Sequence, residues 1–360
     1  MRLALKPGLV TFRRDQDTLQ IGVDPRRGVT ISGAGHAAGL IALLDGSRDG
    51  SALTAAARAL GITDEAADRL IALLAAAGLL DDFPASALRV VPDAVRDRLA
   101  PELATTSLAH GDGDGGARSL ARRSAAYVRV YGAGKVGVCI ATLLASSGIG
   151  HVACQDTGAA RAADVTPAGL AAADVGQPRP EAAARAVRRA APQTCTEDRA
   201  GRRPDVAVLT SDHGPELTGD HGPELAARLT ADRVPQLAAA AGEAIGVVGP
   251  LVQPGRSACL RCLDLHRTDR DPGWPAVLAQ LLGRRPATPA CGSVLAASVA
   301  AQACAQLLAF IDRGGQATAV TDGTLELVLP DWQWRRRSWP PHPGCRCGTA
   351  SPAGAAGWHV

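Results

Sequence analysis

Four of the nine cysteines in this 360-residue chain come as two tight pairs, Cys259-Leu-Arg-Cys262 and Cys345-Arg-Cys347. Each pair offers two thiolates from one turn, and four sulfurs complete the tetrahedral shell of zinc with no position left for water. The pairing predicts a structural zinc site that pins the C-terminal strand to its domain; the other reading is four separate buried thiols. A second constellation is Gly132-Ala-Gly-Lys-Val-Gly137, between a strand pattern and a helix pattern. There Gly132 permits a tight turn, Gly134 lets backbone approach a phosphate, and Gly137 lets helix and strand pack closely. Asp156 ends the next strand near the roughly 20-residue offset expected for a carboxylate that accepts hydrogen bonds from a ribose. The same glycines also suit a Rossmann fold that keeps them for packing and binds no nucleotide. Cys291 opens an apolar helix, where the helix dipole favours a thiolate and hence a nucleophile. Cys139, Cys154, Cys195 and Cys304 lie in apolar patterns and read as inert core residues. His36, His110 and His342 have no obvious partner.

The elements that must position these groups emerge from composition and pattern. With 46% hydrophobic and 20% charged residues the chain reads as a soluble globular protein, and its length suggests two domains. A net charge of only +3 argues against nucleic acid or a membrane surface as partner, and Arg335-Arg336-Arg337 reads as a solvated strand face. No apolar stretch near Met1 resembles a signal peptide, which with an odd number of cysteines implies reduced thiols and a cytoplasmic location. Cys291–Ile311 is long and apolar enough for a membrane span, but its Ala, Ser and Gln content reads as a buried helix.

Short β-like runs around Leu9–Phe12, Thr18–Val23 and Val29–Ile31 predict a small antiparallel meander. Three helical stretches come next, Ala37–Leu44, Ala52–Leu60 and Asp64–Ala77, with Thr63 as an N-cap and Gly78 as a stop. Residues 1–84 thus form a winged-helix-sized α+β unit. Residues 85–124 hold an amphipathic segment around Val91–Leu103 and a glycine-rich linker or surface loop, His110–Ala117. From 125 to 360, Tyr127–Tyr131, His151–Gln155 and Pro204–Ser211 read as strands, alternating with helices at Gly134–Ser147 and Pro180–Ala190. That alternation predicts a Rossmann-like α/β domain with a mostly parallel sheet. Asp212–Gly219 is echoed by Asp220–Leu225, a duplication too short for a repeat architecture.

In this order the glycine turn, Asp156, Asp174-Val-Gly-Gln-Pro-Arg179, Cys259-Leu-Arg-Cys262 and the Gly292–Leu308 helix resemble the ThiF/MoeB adenylyltransferases of the ubiquitin-activating-enzyme-like superfamily. Gly249–Gly255, Cys259–Arg267 and His342–Gly348 are similar to the ThiF-like leader-peptide-binding proteins of azole-forming peptide biosynthesis, and residues 1–82 to their PqqD-like recognition domain. The adenylating members bind ATP and magnesium; the resemblance puts Asp212 at the magnesium–phosphate end and Cys291 at the acceptor position. Lys135 stands where the family has a second consecutive glycine, Arg179 replaces its Lys, and Thr166–Leu170 replaces its Asn-Leu-Arg-Gln segment. Loss of that Arg and Asn removes charge stabilisation on which adenylyl transfer depends, with Lys135 or Arg161 as the cations left to compensate.

The resemblance therefore implies a precursor or leader-peptide-binding scaffold of ribosomal peptide modification with a degenerate ATP site, a YcaO-type enzyme as partner and a homodimeric state. Its other implication is an ATP-dependent adenylyltransferase that activates a peptide or small-protein C-terminal carboxylate. A nicotinamide-dependent dehydrogenase explains the glycines and Asp156 but gives the four cysteines no role.

Overall fold

The structure, a computed structural model, describes residues 2–33, 35, 37–82, 91–199, 201–213, 222–281 and 288–348. His36 and residues 214–221 of the duplicated segment lie outside the described residues. The chain divides into two compact units, Met1–Ala121 and Arg122–Val360.

In the first unit, β1 (Leu3–Leu5) precedes the meander β2 (Thr11–Arg13), β3 (Thr18–Ile21) and β4 (Val29–Ser32), which pairs antiparallel in that order. Helices α1 (Ala37–Leu43), α2 (Gly50–Ala59) and α3 (Asp64–Ala76) lie within a residue or two of the sequence reading. Thr63 caps α3 by accepting the Ala66 N–H at 3.3 Å, and Gly78 leaves the helix with φ +68°. Beyond Gly78 the chain forms a strand that its pattern does not show: β5 (Leu80–Asp82) pairs antiparallel with β1. Leu19, Ile21, Leu40, Leu53 and Leu74 are buried between sheet and helices. α4 (Asp93–His110) is fastened to the β1–β5 pair by Ser107, whose hydroxyl donates to Asp81 at 2.6 Å and whose carbonyl accepts from the buried Lys6. The glycine-rich stretch is not a free tether: the Gly113 carbonyl accepts the Asp82 N–H at 2.8 Å. A Cβ on Gly116 would lie 2.4 Å from Thr106 Oγ1. Helix α5 (Ala117–Ala125) leads into the second unit.

The second unit contains β6 (Tyr127–Tyr131), α6 (Lys135–Ser146), β7 (His151–Gln155), α7 (Arg179–Ala190), β8 (Val206–Ser211), α8 (Gly222–Ala231), β9 (Gln236–Gly242) and β10 (Ile245–Val252). Then come α9 (Leu260–Arg270), α10 (Trp274–Leu281), α11 (Ser293–Asp312), β11 (Gly323–Val328) and β12 (Gln333–Ser338). The seven strands run β12-β11-β10-β9-β8-β6-β7; the four from β9 to β7 are parallel, and β10, β11 and β12 are added antiparallel. β6, with β7 on one side and β8 on the other, is the switch point at which an open α/β sheet leaves a crevice beyond the strand ends.

Helices α6 and α11 cover one face of this sheet. Val130, Val136, Ile140, Val208, Leu295, Val299 and Leu307 are fully or almost fully buried there, each burial stabilising by about 1.5–3 kcal/mol. α11 is the single helix, among the described residues, long and apolar enough to cross a membrane. It lies against α6, β9 and β10, the buried helix that the sequence predicts. At its end Asp312 forms a two-bond buried pair with Arg123, at 2.8 and 2.7 Å. The solvated strand face expected of Arg335–Arg337 is β12.

Candidate functional site

The glycine turn leaves β6 and opens α6 at the crevice, Asp156 comes after β7, and Asp212 after β8, so the topology brings all three to one place. Gly132 has φ +97°, and a Cβ there would meet Thr210 Oγ1 at 2.4 Å. A Cβ on Gly137 would lie 1.9 Å from the Gly132 carbonyl oxygen, and one on Gly134 would lie 1.9 Å from Asp212 Oδ2. Contacts of the protein with itself thus account for all three glycines.

Asp212 fills the helix start. Its Oδ2 accepts the Lys135 N–H at 2.6 Å and its Oδ1 the Val136 N–H at 3.0 Å. These are the backbone donors that a helix N-terminus offers to a phosphate. Burial pushes the Asp212 carboxyl up from its usual range, against those two bonds, and the nearby Asp164 adds to the shift. Asp156 is likewise engaged: its Oδ2 accepts the Ala133 N–H of the glycine turn at 2.8 Å and its Oδ1 the Gly158 N–H at 2.7 Å. Arg179, buried, gives Nε and Nη2 to Asp164 at 3.2 and 2.8 Å and sets Nη1 3.5 Å from Asp156. Asp164 ends a 3₁₀ turn, Ala162–Asp164. Burial opposes its charge, but the Arg161 N–H and the Arg179 guanidinium outweigh that and hold it below the usual range. Lys135 Nζ donates to the Cys291 carbonyl at 3.1 Å, leaving Arg161, the other cation that could compensate, 49% exposed beside Asp164. Three backbone N–H groups of the turn, on Ala133, Lys135 and Val136, and its nearest guanidinium, on Arg179, thus already hold carboxylates.

Cys291 sits just before the Gly292 N-cap of α11, beside Lys135, as the sequence places it. Burial, reinforced by the Asp212 charge, pushes its thiol up to about 12. Cys139 and Cys304 are buried in the core and Cys154 packs beside it, with burial raising Cys154 to about 12. Cys195 departs from the core reading, lying half-buried outside a regular strand with Arg199 3.9 Å from its sulfur.

The four paired cysteines converge. Cys259 and Cys262 open α9, Cys345 and Cys347 come after β12, and the four sulfurs lie within 4.8 Å of one another. Separations of 3.8 Å for Cys259–Cys262, 3.6 Å for Cys259–Cys345 and 3.7 Å for Cys262–Cys347 fit a tetrahedron. Zinc–sulfur bonds of about 2.3 Å require sulfur edges of about 3.8 Å.

Beside the sulfurs lies a clamp that the sequence does not announce. His342, which has no evident partner along the chain, holds Asp269 at 2.8 Å through Nε2, while its Nδ1 accepts the Gly344 N–H at 3.0 Å. His266 packs edge-on against His342, with ring centroids 4.7 Å apart. A metal-bound histidine turns its second nitrogen to an acceptor. His342 turns its own to a donor, so this group is a brace between α9 and the C-terminal loop. The available signal is the i, i+4, i+7 spacing of Cys262, His266 and Asp269, which puts all three on one face of α9.

Residues 113–211 match the model of the ThiF family. No curated protein matches the chain. Among solved structures the fold is similar to the microcin C7 biosynthetic enzyme MccB in complex with N-formylated MccA, with a TM-score of 0.70 and 15% identity, covering 97% of this chain and 100% of that one. E. coli MccB with ATP gives 0.69 and 16%, covering 96% and 99%. PaaA gives 0.68 and 18%, covering 92% and 98%. The strand, glycine turn and helix that build the crevice lie within the segment that matches the ThiF family model, in a fold that nearly the whole chain shares with MccB and PaaA.

Proposed function

We propose that the protein binds a precursor or leader peptide and scaffolds its modification, and that its nucleotide site is degenerate. One observation carries this reading: the Asp212 carboxylate occupies the two helix N–H groups that a nucleotide phosphate needs. In support, structures of this fold include MccB with its peptide MccA. The PqqD-like residues 1–84, within the first unit, grip an extended peptide along a strand edge, as small sheets do by adding a strand. The second unit, closed by zinc on Cys259, Cys262, Cys345 and Cys347, docks a YcaO-type enzyme as a homodimer in the cytoplasm. When bound, zinc supplies cross-linking and no reaction chemistry, since four thiolates leave it no open position.

Calorimetry on the purified protein tests the proposal. The expected result is peptide binding with no saturable uptake of ATP–magnesium; tight nucleotide binding would overturn it.

The adenylyltransferase reading has one observation in its favour: Asp212, Lys135 and Cys291 do meet at the crevice. It requires the Asp212 carboxylate to leave the start of α6. Peptide-dependent pyrophosphate exchange, abolished by Asp212→Ala, would select it.

A further inference from the structure

We propose that the sheet face opposite α6 carries a docking pocket for an acidic, partly apolar peptide segment. Parallel sheets are ordinarily covered by helices on both faces. Here α6 and α7 pack on one side of β6 and β7, and α11 continues that layer over β9 and β10. On the other side Arg129, Tyr131 and Gln155 face a cavity of about 680 Å³, whose remaining walls are the loop before β8 and one side of α8. It shares no residue with the glycine turn or the cysteine cluster, and the inference does not depend on the peptide-scaffold reading.

Charge decides what it takes. Arg129, Arg202, Arg203 and Arg228 line the cavity against a single Asp232. Arg129 is committed: its Nη2 lies 2.7 Å from Asp198, and its Nε donates to Tyr127 Oη at 3.0 Å. Asp198 also accepts from Tyr127 Oη and Gln155, while Arg129 Nη2 donates to the Arg202 carbonyl at 3.3 Å. These bonds hold the loop over β6 and β7 and fix where Arg202 and Arg203 begin. Arg202, Arg203 and Arg228 are exposed and have no ion-pair partner among the described residues. The Arg202 guanidinium lies over the Tyr127 ring, 5.3 Å from its centre.

Guanidinium groups bind carboxylates through paired N–H···O bonds and stack on flat apolar surfaces. Between them Leu225, Leu229 and Val234, each more than nine-tenths buried, form the apolar floor. A cationic rim around apolar lining selects carboxylates carried on an apolar body, which describes an extended peptide alternating Asp or Glu with Leu or Phe.

Fluorescence anisotropy with a labelled peptide of alternating Glu and Leu, at low salt, tests this on the full chain. The acidic peptide should bind and its Gln–Leu counterpart should not. Arg202→Glu with Arg228→Glu should weaken binding at least about tenfold, and the milder Arg202→Gln with Arg228→Gln should weaken it in the same direction. Arg335→Glu, on β12 outside the pocket, should leave it unchanged. Absence of acidic-peptide binding, or equal binding by the charge-reversed variant, would overturn the proposal. So would competition by inorganic pyrophosphate as strong as by unlabelled peptide, which would assign a phosphate site. A shift in sedimentation on charge reversal would assign the face to contact between copies of the chain and would also overturn it.

Discussion

Asp212 occupies the α6 start from 76 residues further along the chain than Val136, and no local pattern announces such a contact. The glycines themselves are legible because each must lack a Cβ, but sequence does not say whether a ligand or the protein itself fills the space. The structure separates their roles by what a side chain would strike. Gly137→Ala would drive a methyl into the Gly132 carbonyl, which is backbone and cannot yield. Gly134→Ala would displace the end of the Asp212 side chain. We expect Gly137→Ala to cost about 3 kcal/mol or more by chemical denaturation, and Gly134→Ala less. Asp164, which no motif marks, anchors Arg179, and Asp164→Asn should cost about 3 kcal/mol by leaving that buried guanidinium poorly paired. Because the folded carboxyl is held below its usual 3.8, its stabilisation is complete above that pH and is lost as pH falls through the lower folded value. Unfolding of the Asp164→Asn variant should therefore be less steep in pH on the acid side of 3.8 than that of wild type.

Among the elements, those that obey the local period are legible in the sequence, and those that defy it are not. β9 is Gln-Leu-Ala-Ala-Ala-Ala-Gly, a composition that favours helix, yet every residue is a buried strand position. Alanine serves there because α11 lies against the strand, leaving room for a methyl group and little more. β5 is hidden for a related reason, as Asp81 and Asp82 do not look like strand residues until Lys6 and Ser107 are brought to Asp81. The cysteine spacing, in contrast, does not depend on burial and predicts the convergence of α9 with the segment after β12. Elemental analysis should find about one zinc per chain, and Cys262→Ser with Cys347→Ser should abolish it. The melting temperature should fall by several degrees, as for loss of a structural metal.

For the molecule as a whole, sequence conveys the alternation of strands and helices but not the strand order or the antiparallel half of the sheet. Pairing partners far apart in the chain leave no local trace. All four sulfur ligands lie in the second unit, Arg122–Val360. Chelation should consequently raise amide exchange in α9 and after β12 while the Leu19–Leu74 core of the first unit keeps its protection; uniform loss would show that the metal holds more than its own unit.

The borders of the large sheet bear on how copies of the chain meet. β12 is the outermost strand and offers Arg335 and Arg337 to solvent, 63% and 54% exposed. At the opposite border Cys195 bridges to His151 and shields the beginning of β7. The β12 of a second copy paired alongside would bring its own arginines against these, which Asp331 and Glu326 only partly neutralise, a charged edge of the kind that strands use to stay solitary. Growth of the sheet through β12 from one molecule into the next is thereby disfavoured.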